Sequence, residues 1–305
     1  NMEFIGMGEL QADGMHANLA HLNLTGLAGV GLFYLALKKG LDVLLSHPQA
    51  DHRRVCVTGL SGGGWQTLVI SALDPRVTVS VPVSGFSSLR TYLLKDEKTA
   101  DMEHCPMDMA TILEYQHLTA MLFPRPAMII TNEHDEIYHL RTCSARPVVY
   151  DAVLPTYRNF GLEDLFATYS SHDPGTHNYG ADNRRQFFRF VNKHFGLRTP
   201  ERDLHREDEI LEERVLNVGL PDEQETFLTL ALKRAQSLEK KRTIPRAAAQ
   251  RKALRSRLAG VIHLPSYSLR AKRILQSERG DGTEALYKLG IGPWTVPMAV
   301  QINRK

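Results

Sequence analysis

The residues best suited to chemistry are Gly59-Leu60-Ser61-Gly62-Gly63, a G-x-S-x-G spacing between the β-branched run RVCVTGL and the helix-like segment WQTLVISAL. Between a strand and a helix, this spacing puts a serine on a sharp turn with its Oγ lifted above the sheet. The glycines are needed because a Cβ there would collide with the neighbouring strand and helix. A helix N-terminus behind the serine favours developing negative charge, and the Gly62 amide is placed to donate to an oxyanion. The bland reading, an ordinary glycine-rich turn, has nothing to say about why strand and helix flank it.

A serine hydroxyl needs a base to take its proton, and the base needs a carboxylate to fix its tautomer and stabilise the imidazolium. The expected acid is Asp135, in the turn NEHDE after AMIIT, with Glu133 as its competitor. The expected base is His177 in the loop DPGTHNYG, with His172 as the alternative. His134, His139, His172 and His177, with Asp135 and Asp173, also invite a metal reading. They lack H-E-x-x-H or comparable ligand spacing on a helix, so no metal is expected. The chemistry read so far is nucleophilic acyl transfer at Ser61, with no cofactor required.

Placing such a set calls for strands that end where the reacting residues sit. RVCVTGL at 54–60, RVTVSVPVSG at 76–85 and RPAMIITN at 125–132 read as short buried strands, with another near 165–170. They suit a parallel sheet covered on both faces. Apolar residues at helical spacing predict one long helix or two abutting ones over 24–46, and a helix after Ser61 whose apolar side includes Leu68, Ile70 and Leu73. Further helices are predicted near 143–153 and over 180–195, the latter closed by Gly196. The alternation predicts an α/β fold. The irregular stretch between the second and third strands, with Tyr92, Met102 and Tyr115, is the kind of insert that covers a site.

At 305 residues, 43% hydrophobic and 23% charged, the chain has the composition of a globular protein of one large or two modest domains. No stretch approaches a membrane-spanning length of about 18 apolar residues, and residues 1–10 lack the regions of a signal peptide. The chain opens at Asn1 in what reads as a strand end and a Gly-containing turn, so missing upstream sequence is expected and the compartment stays open. The three cysteines, Cys56, Cys105 and Cys143, form no C-x-x-C pair and read as packing residues, with a Cys105 to Cys143 bridge as the lesser alternative. Residues 233–273 carry thirteen Lys or Arg against one acid, Glu239. Nucleic acid is one partner such a run admits, but a solvated helical face is the more ordinary reading.

The segments GLSGGGWQT, FPRPAMIITNEHDE and DPGTHNYGADNRRQFFRFVNKHFG resemble the α/β-hydrolase superfamily. The likeness extends over roughly residues 1–196, and its nearer shade is the bacterial acetyl xylan esterase-like branch. The resemblance implies a mostly parallel sheet with helices on both faces, Ser61 as nucleophile, Asp135 as acid, His177 as base and Gly62 in the oxyanion hole. It also implies that the first strands of the sheet, and the loop giving a second oxyanion amide, are absent. Domains are expected at 1–197, catalytic, and 198–305, a charged helical extension ending in the strand-like PWTVPMAVQIN. That end resembles an opening strand of a hydrolase domain. The chain is then either a piece of a longer, tandem protein or a hydrolase whose C-terminal strands complete the sheet in permuted order.

The function these readings favour is a serine ester hydrolase acting through an acyl-enzyme on acetyl or other short-chain esters of carbohydrate, or on polyesters. Trp65 is expected among the substrate-binding residues, although core packing competes as its role. A prolyl-oligopeptidase-like peptidase shares the triad order. An inactive scaffold with basic C-terminal binding helices is the reading from another class.

Overall fold

The computed structural model describes the chain except for residues 1, 4, 14, 15, 95–107, 205–208, 281, 304 and 305. Met102 and Cys105 lie outside the described residues. The chain divides into two compact units, Asn1–Lys240 and Lys241–Lys305.

The first unit is built on a parallel four-stranded sheet in the order β1-β2-β3-β4. Its strands are β1 (Cys56–Leu60), β2 (Val79–Val83), β3 (Ala127–Asn132) and β4 (Phe166–Ser171), so each strand lies beside its predecessor in sequence. Parallel neighbours need a crossover, and helices supply them. Before β1 runs α1 (Val30–Ser46), and α2 (Gly62–Leu73) joins β1 to β2. The β2–β3 connection holds α3 (Tyr115–Ala120), the β3–β4 connection holds α4 (Thr142–Arg146) and α5 (Leu154–Arg158), and α6 (Ala181–Phe195) follows β4. The predicted α/β-hydrolase sheet and its helices are therefore present. The long helix expected over 24–46 begins only at Val30, and Gly29 at its start accepts no larger residue because a Cβ there would lie 2.5 Å from the Leu19 carbonyl.

Strands β2 and β3 are buried at every position. Their alternation divides the core. Ala127 and Ile129 face a cluster with Trp65, Leu68, Phe33 and Tyr157, while Met128 and Ile130 face one with Val79, Val81, Val83 and Phe190 of α6. Burying such side chains contributes roughly 1.5–3 kcal/mol each, which explains why this sheet reads as continuous apolar runs. Helix α7 (Phe227–Lys241) adds Phe227 and Ala231 to the larger cluster. Leu73, predicted to be buried, is 47% exposed at the last residue of α2. Gly196 ends α6 at φ 65°, the left-handed conformation that the sequence called for.

In the second unit, α8 (Ala248–Val261) precedes an antiparallel meander of β5 (Leu269–Arg279), β6 (Gly282–Ile291) and β7 (Trp294–Asn303). These strands form a sheet of their own, so they do not complete the parallel sheet in permuted order. The strand-like end of the extension also reaches further back than PWTVPMAVQIN, since β5 and β6 precede it.

Strand β1, α2 and β2 meet backbone to backbone. A Cβ on Gly64 would fall 2.4 Å from the Val83 carbonyl oxygen, whereas one on Gly63 would meet nothing within 4 Å. Gly64→Ala is therefore expected to lose about 1–3 kcal/mol of stability. Gly63→Ala is expected to gain about 0.5–1 kcal/mol, since helical glycine is entropically costly. Urea unfolding of both variants checks the pair.

Candidate active site

Ser61 stands between β1 and α2 with φ 57° and ψ −122°, a conformation that side chains rarely adopt. Strain of this sort costs about 1–3 kcal/mol and persists only where the surroundings over-determine it. Here the Ser61 N–H donates to the Val83 carbonyl at 3.0 Å and the Trp65 N–H to the Ser61 carbonyl at 2.9 Å. A Cβ on Gly59 would lie 2.7 Å from the Gly63 backbone, and one on Gly85 would lie 2.3 Å from the Trp65 nitrogen. The glycines thus let two strands and a helix close around the serine. Gly62 is the first residue of α2, so its N–H belongs to the helix turn whose amides lack intrahelical acceptors.

Asp135 follows β3 and is fully buried, and His177 follows β4 with its side chain 22% exposed. Their contact is direct, with His177 Nδ1 2.8 Å from Asp135 Oδ2. An ionised carboxylate only accepts, so Nδ1 carries the proton and the Nε2 lone pair is left to act as a base. The carboxylate is itself fixed, because its Oδ1 accepts from the Ile137 N–H at 2.9 Å and the Asp135 carbonyl accepts from Arg141 Nε at 2.6 Å. The hydrogen bond that His177 donates to Asp135 holds the His177 pKa above the ordinary imidazole value of 6.5, against the opposing effect of burial.

The competitors are placed elsewhere. Glu133 accepts from Ser170 Oγ at 2.8 Å, a bond that lowers its pKa and ties it to the hydroxyls of Thr142 and Thr131 rather than to a histidine. His172 and His134 are exposed, and His139 is buried with its ring 4.2 Å from that of Tyr92. Among the described residues, no three His, Cys, Asp or Glu side chains gather as a metal site requires.

Trp65, expected to contact substrate, is packed in the core. It is 1% exposed, with its ring edge-on to Phe33 and its Nε1 donating to the Tyr115 hydroxyl at 3.0 Å. The physical reason is its place one turn into α2, on the side pressed against the large cluster. Tyr115 is equally buried, and Tyr92 nearly so. Cys56 is a free thiol whose burial pushes its pKa up to about 12, while Cys143 is free and exposed rather than packed.

Sequence reading missed the residues that anchor the histidine loop. Asn183 Nδ2 donates to the Asn178 carbonyl at 2.7 Å and to Asn132 Oδ1 at 3.0 Å, and Asn132 Nδ2 donates to the Asn178 carbonyl at 3.1 Å. Asn132 and Asn183 are fully buried, so this amide network stitches the residue after His177 to the end of β3 and to α6. The Tyr179 hydroxyl lies 2.6 Å from Thr58 Oγ1, which draws the same loop back to the strand that carries Ser61. The signal available was a buried-strand run ending in Asn132, a polar residue where an apolar one would pack.

Parallel strands bring their C-terminal ends to one edge, and β1, β3 and β4 deliver Ser61, Asp135 and His177 there. A parallel sheet that brings a serine turn, a carboxylate and a histidine to its edge in this order is the α/β-hydrolase arrangement. Residues 36–198 match the model of the prolyl oligopeptidase family, and the chain belongs to that family. No curated protein matches the chain. Among solved structures it is similar to the methylesterase BT1017, at 18% identity and a TM-score of 0.49, over 70% of this chain and 45% of that one. It is also similar to a family 15 glucuronoyl esterase from Caldicellulosiruptor kristjansonii, at 16% identity and 0.43, over 61% and 57%. A third is the glucuronoyl esterase from Sporotrichum thermophile, at 17% and 0.45, over 57% and 53%. The chain spans about half the length of these structures.

If Asp135 fixes the tautomer, Asp135→Asn should lower the rate at which a fluorophosphonate probe labels Ser61 by about 10⁴-fold, whereas Glu133→Gln should change it little. The labelling rate should also fall on acidification, with a midpoint above pH 6.5, because the base is protonated below its raised pKa. Stopped-time labelling across pH 5–9 reads both.

Proposed function

We propose that the protein is a serine carboxylic-ester hydrolase acting through an acyl-enzyme on short-chain esters, acetylated carbohydrate among them. The observation that carries the reading is the bond between the buried Asp135 and His177, set on the sheet edge where the strained Ser61 stands. His177 Nε2 takes the Ser61 proton as Oγ attacks the ester carbonyl, and the Gly62 N–H stabilises the oxyanion. The imidazolium then protonates the departing alkoxide. Water, activated by the same imidazole, attacks the acyl-serine, and the acid leaves as Ser61 recovers its proton. Each step uses groups that the chain supplies.

Ester cleavage asks least of this arrangement, because an alkoxide departs more readily than an amine and depends less on protonation by the imidazolium. Family membership favours a second reading, a peptidase cutting after proline. Both use the same three residues.

Purified protein is expected to hydrolyse p-nitrophenyl acetate faster than the octanoate, with the Ser61→Ala variant reduced about 10⁵-fold or more toward the uncatalysed rate. A glycyl-prolyl p-nitroanilide should be turned over more slowly than the acetate. Faster release from the anilide would favour the peptidase, and turnover unchanged in Ser61→Ala would end both readings.

A further inference from the structure

Glu136 is exposed, yet its side chain is committed. Its Oε2 accepts from the His177 main-chain N–H at 2.7 Å, so the residue next to the acid grips the backbone of the base. The two contacts run in parallel between the same pair of segments, with Asp135 holding the imidazole and Glu136 holding the peptide. On the acid side, Arg141 Nε bonds the Asp135 carbonyl, and its guanidinium lies 5.4 Å from the centre of the Tyr138 ring. The turn bearing both carboxylates is therefore braced. On the base side the loop is tied down after His177 by Asn178, and before it by the Gly175 carbonyl, which accepts from the His134 N–H at 2.8 Å. The His177 peptide itself is gripped by Glu136.

We infer that Glu136 is a positioning residue for the base, fixing the His177 backbone so that one imidazole can serve Asp135 through Nδ1 and Ser61 through Nε2. The inference rests on the reading of His177 as base. Glu136 touches no reacting atom.

A carboxylate here does more than a neutral acceptor would. The charges acting on His177 are those of Asp135 and Glu136, and both favour the imidazolium. The hydrogen bond from the His177 N–H holds the Glu136 pKa below the ordinary carboxylate value, with a smaller contribution from the Arg141 charge, so Glu136 stays ionised through the working range. On the base's own loop His172 and Asp173 are exposed, and the serine turn, GLSGGGWQ, carries no charge. Removing the Glu136 charge should therefore make His177 a weaker base that stays deprotonated to lower pH.

The test is the pH profile of kcat/KM for p-nitrophenyl acetate in wild type, Glu136→Gln, Glu136→Ala and His177→Ala. Both Glu136 variants are expected to move the acid limb to lower pH. Glu136→Ala should also lose about tenfold at the plateau, mainly in kcat, while Glu136→Gln, whose amide oxygen still accepts the N–H, should lose less. Salt should shrink the limb displacement, since Glu136 is exposed, and leave the plateau loss of Glu136→Ala in place. An unmoved limb in both variants, or a full plateau in Glu136→Ala, overturns the inference even where His177→Ala is inactive. An active His177→Ala instead overturns the assignment of the base, and the inference with it.

Discussion

Backbone meets backbone at the serine turn, and the site depends on that closeness. With no Cβ at Gly59, Gly64 or Gly85, β1, α2 and β2 approach to distances that any side chain would forbid. The approach does three things at once. It brings the Val83 carbonyl onto the Ser61 N–H, it starts α2 directly behind the serine, and it holds Ser61 at a positive φ. A strain of about 1–3 kcal/mol is offset by hydrogen bonds worth about 0.5–1.5 kcal/mol each and by the core that Trp65 and Leu68 enter one turn later. Trp65 thus supports the serine turn by packing, buried and bonded to the Tyr115 hydroxyl.

Asp135 and His177 are held by a different kind of force. Around Asp135 and His177 the work is done by polar groups buried together, with the Asn132 and Asn183 amides bonding each other and both donating to the Asn178 carbonyl. Donors left alone in the interior would be costly, so these bonds favour one path for the loop, although Asn183 Oδ1 is itself buried without a partner. The apolar sheet sets the distance between strands. The amides set the path of the loop.

Much of this was legible in the sequence because it rests on local signals. Short β-branched or apolar runs marked the first three parallel strands, Gly196 marked the end of α6, and the glycine spacing marked the turn at Ser61. Asp135 and His177 were expected from their places after strands, and Asp135 was set before Glu133 for its place in the turn. In the fold the two carboxylates part by contact, Asp135 meeting His177 while Glu133 accepts from Ser170 of β4. Strand β5 was illegible for a related reason. Its residues, LRAKRILQSER, are good helix formers, and they are extended because β6 pairs with them along their length. Asn183 and Glu136 carry no motif at all, since their roles exist only once the loop has folded over them.

Because Asp135 and His177 are assembled by β3, β4 and α6, and Ser61 by β1, β2 and α2, the proposed machinery comes in two halves, tied by the pairing of β2 with β3 and by the Thr58–Tyr179 hydrogen bond. In the proposed mechanism the residue at 61 can change while the bonds that His177 makes to Asp135 and Glu136 stay in place. A thiol at position 61 would inherit a preset base and a helix N-terminus, and thioesters resist water more than they resist amines. For protein engineering, this makes the scaffold a starting point for acyl transfer to an added acceptor rather than to solvent.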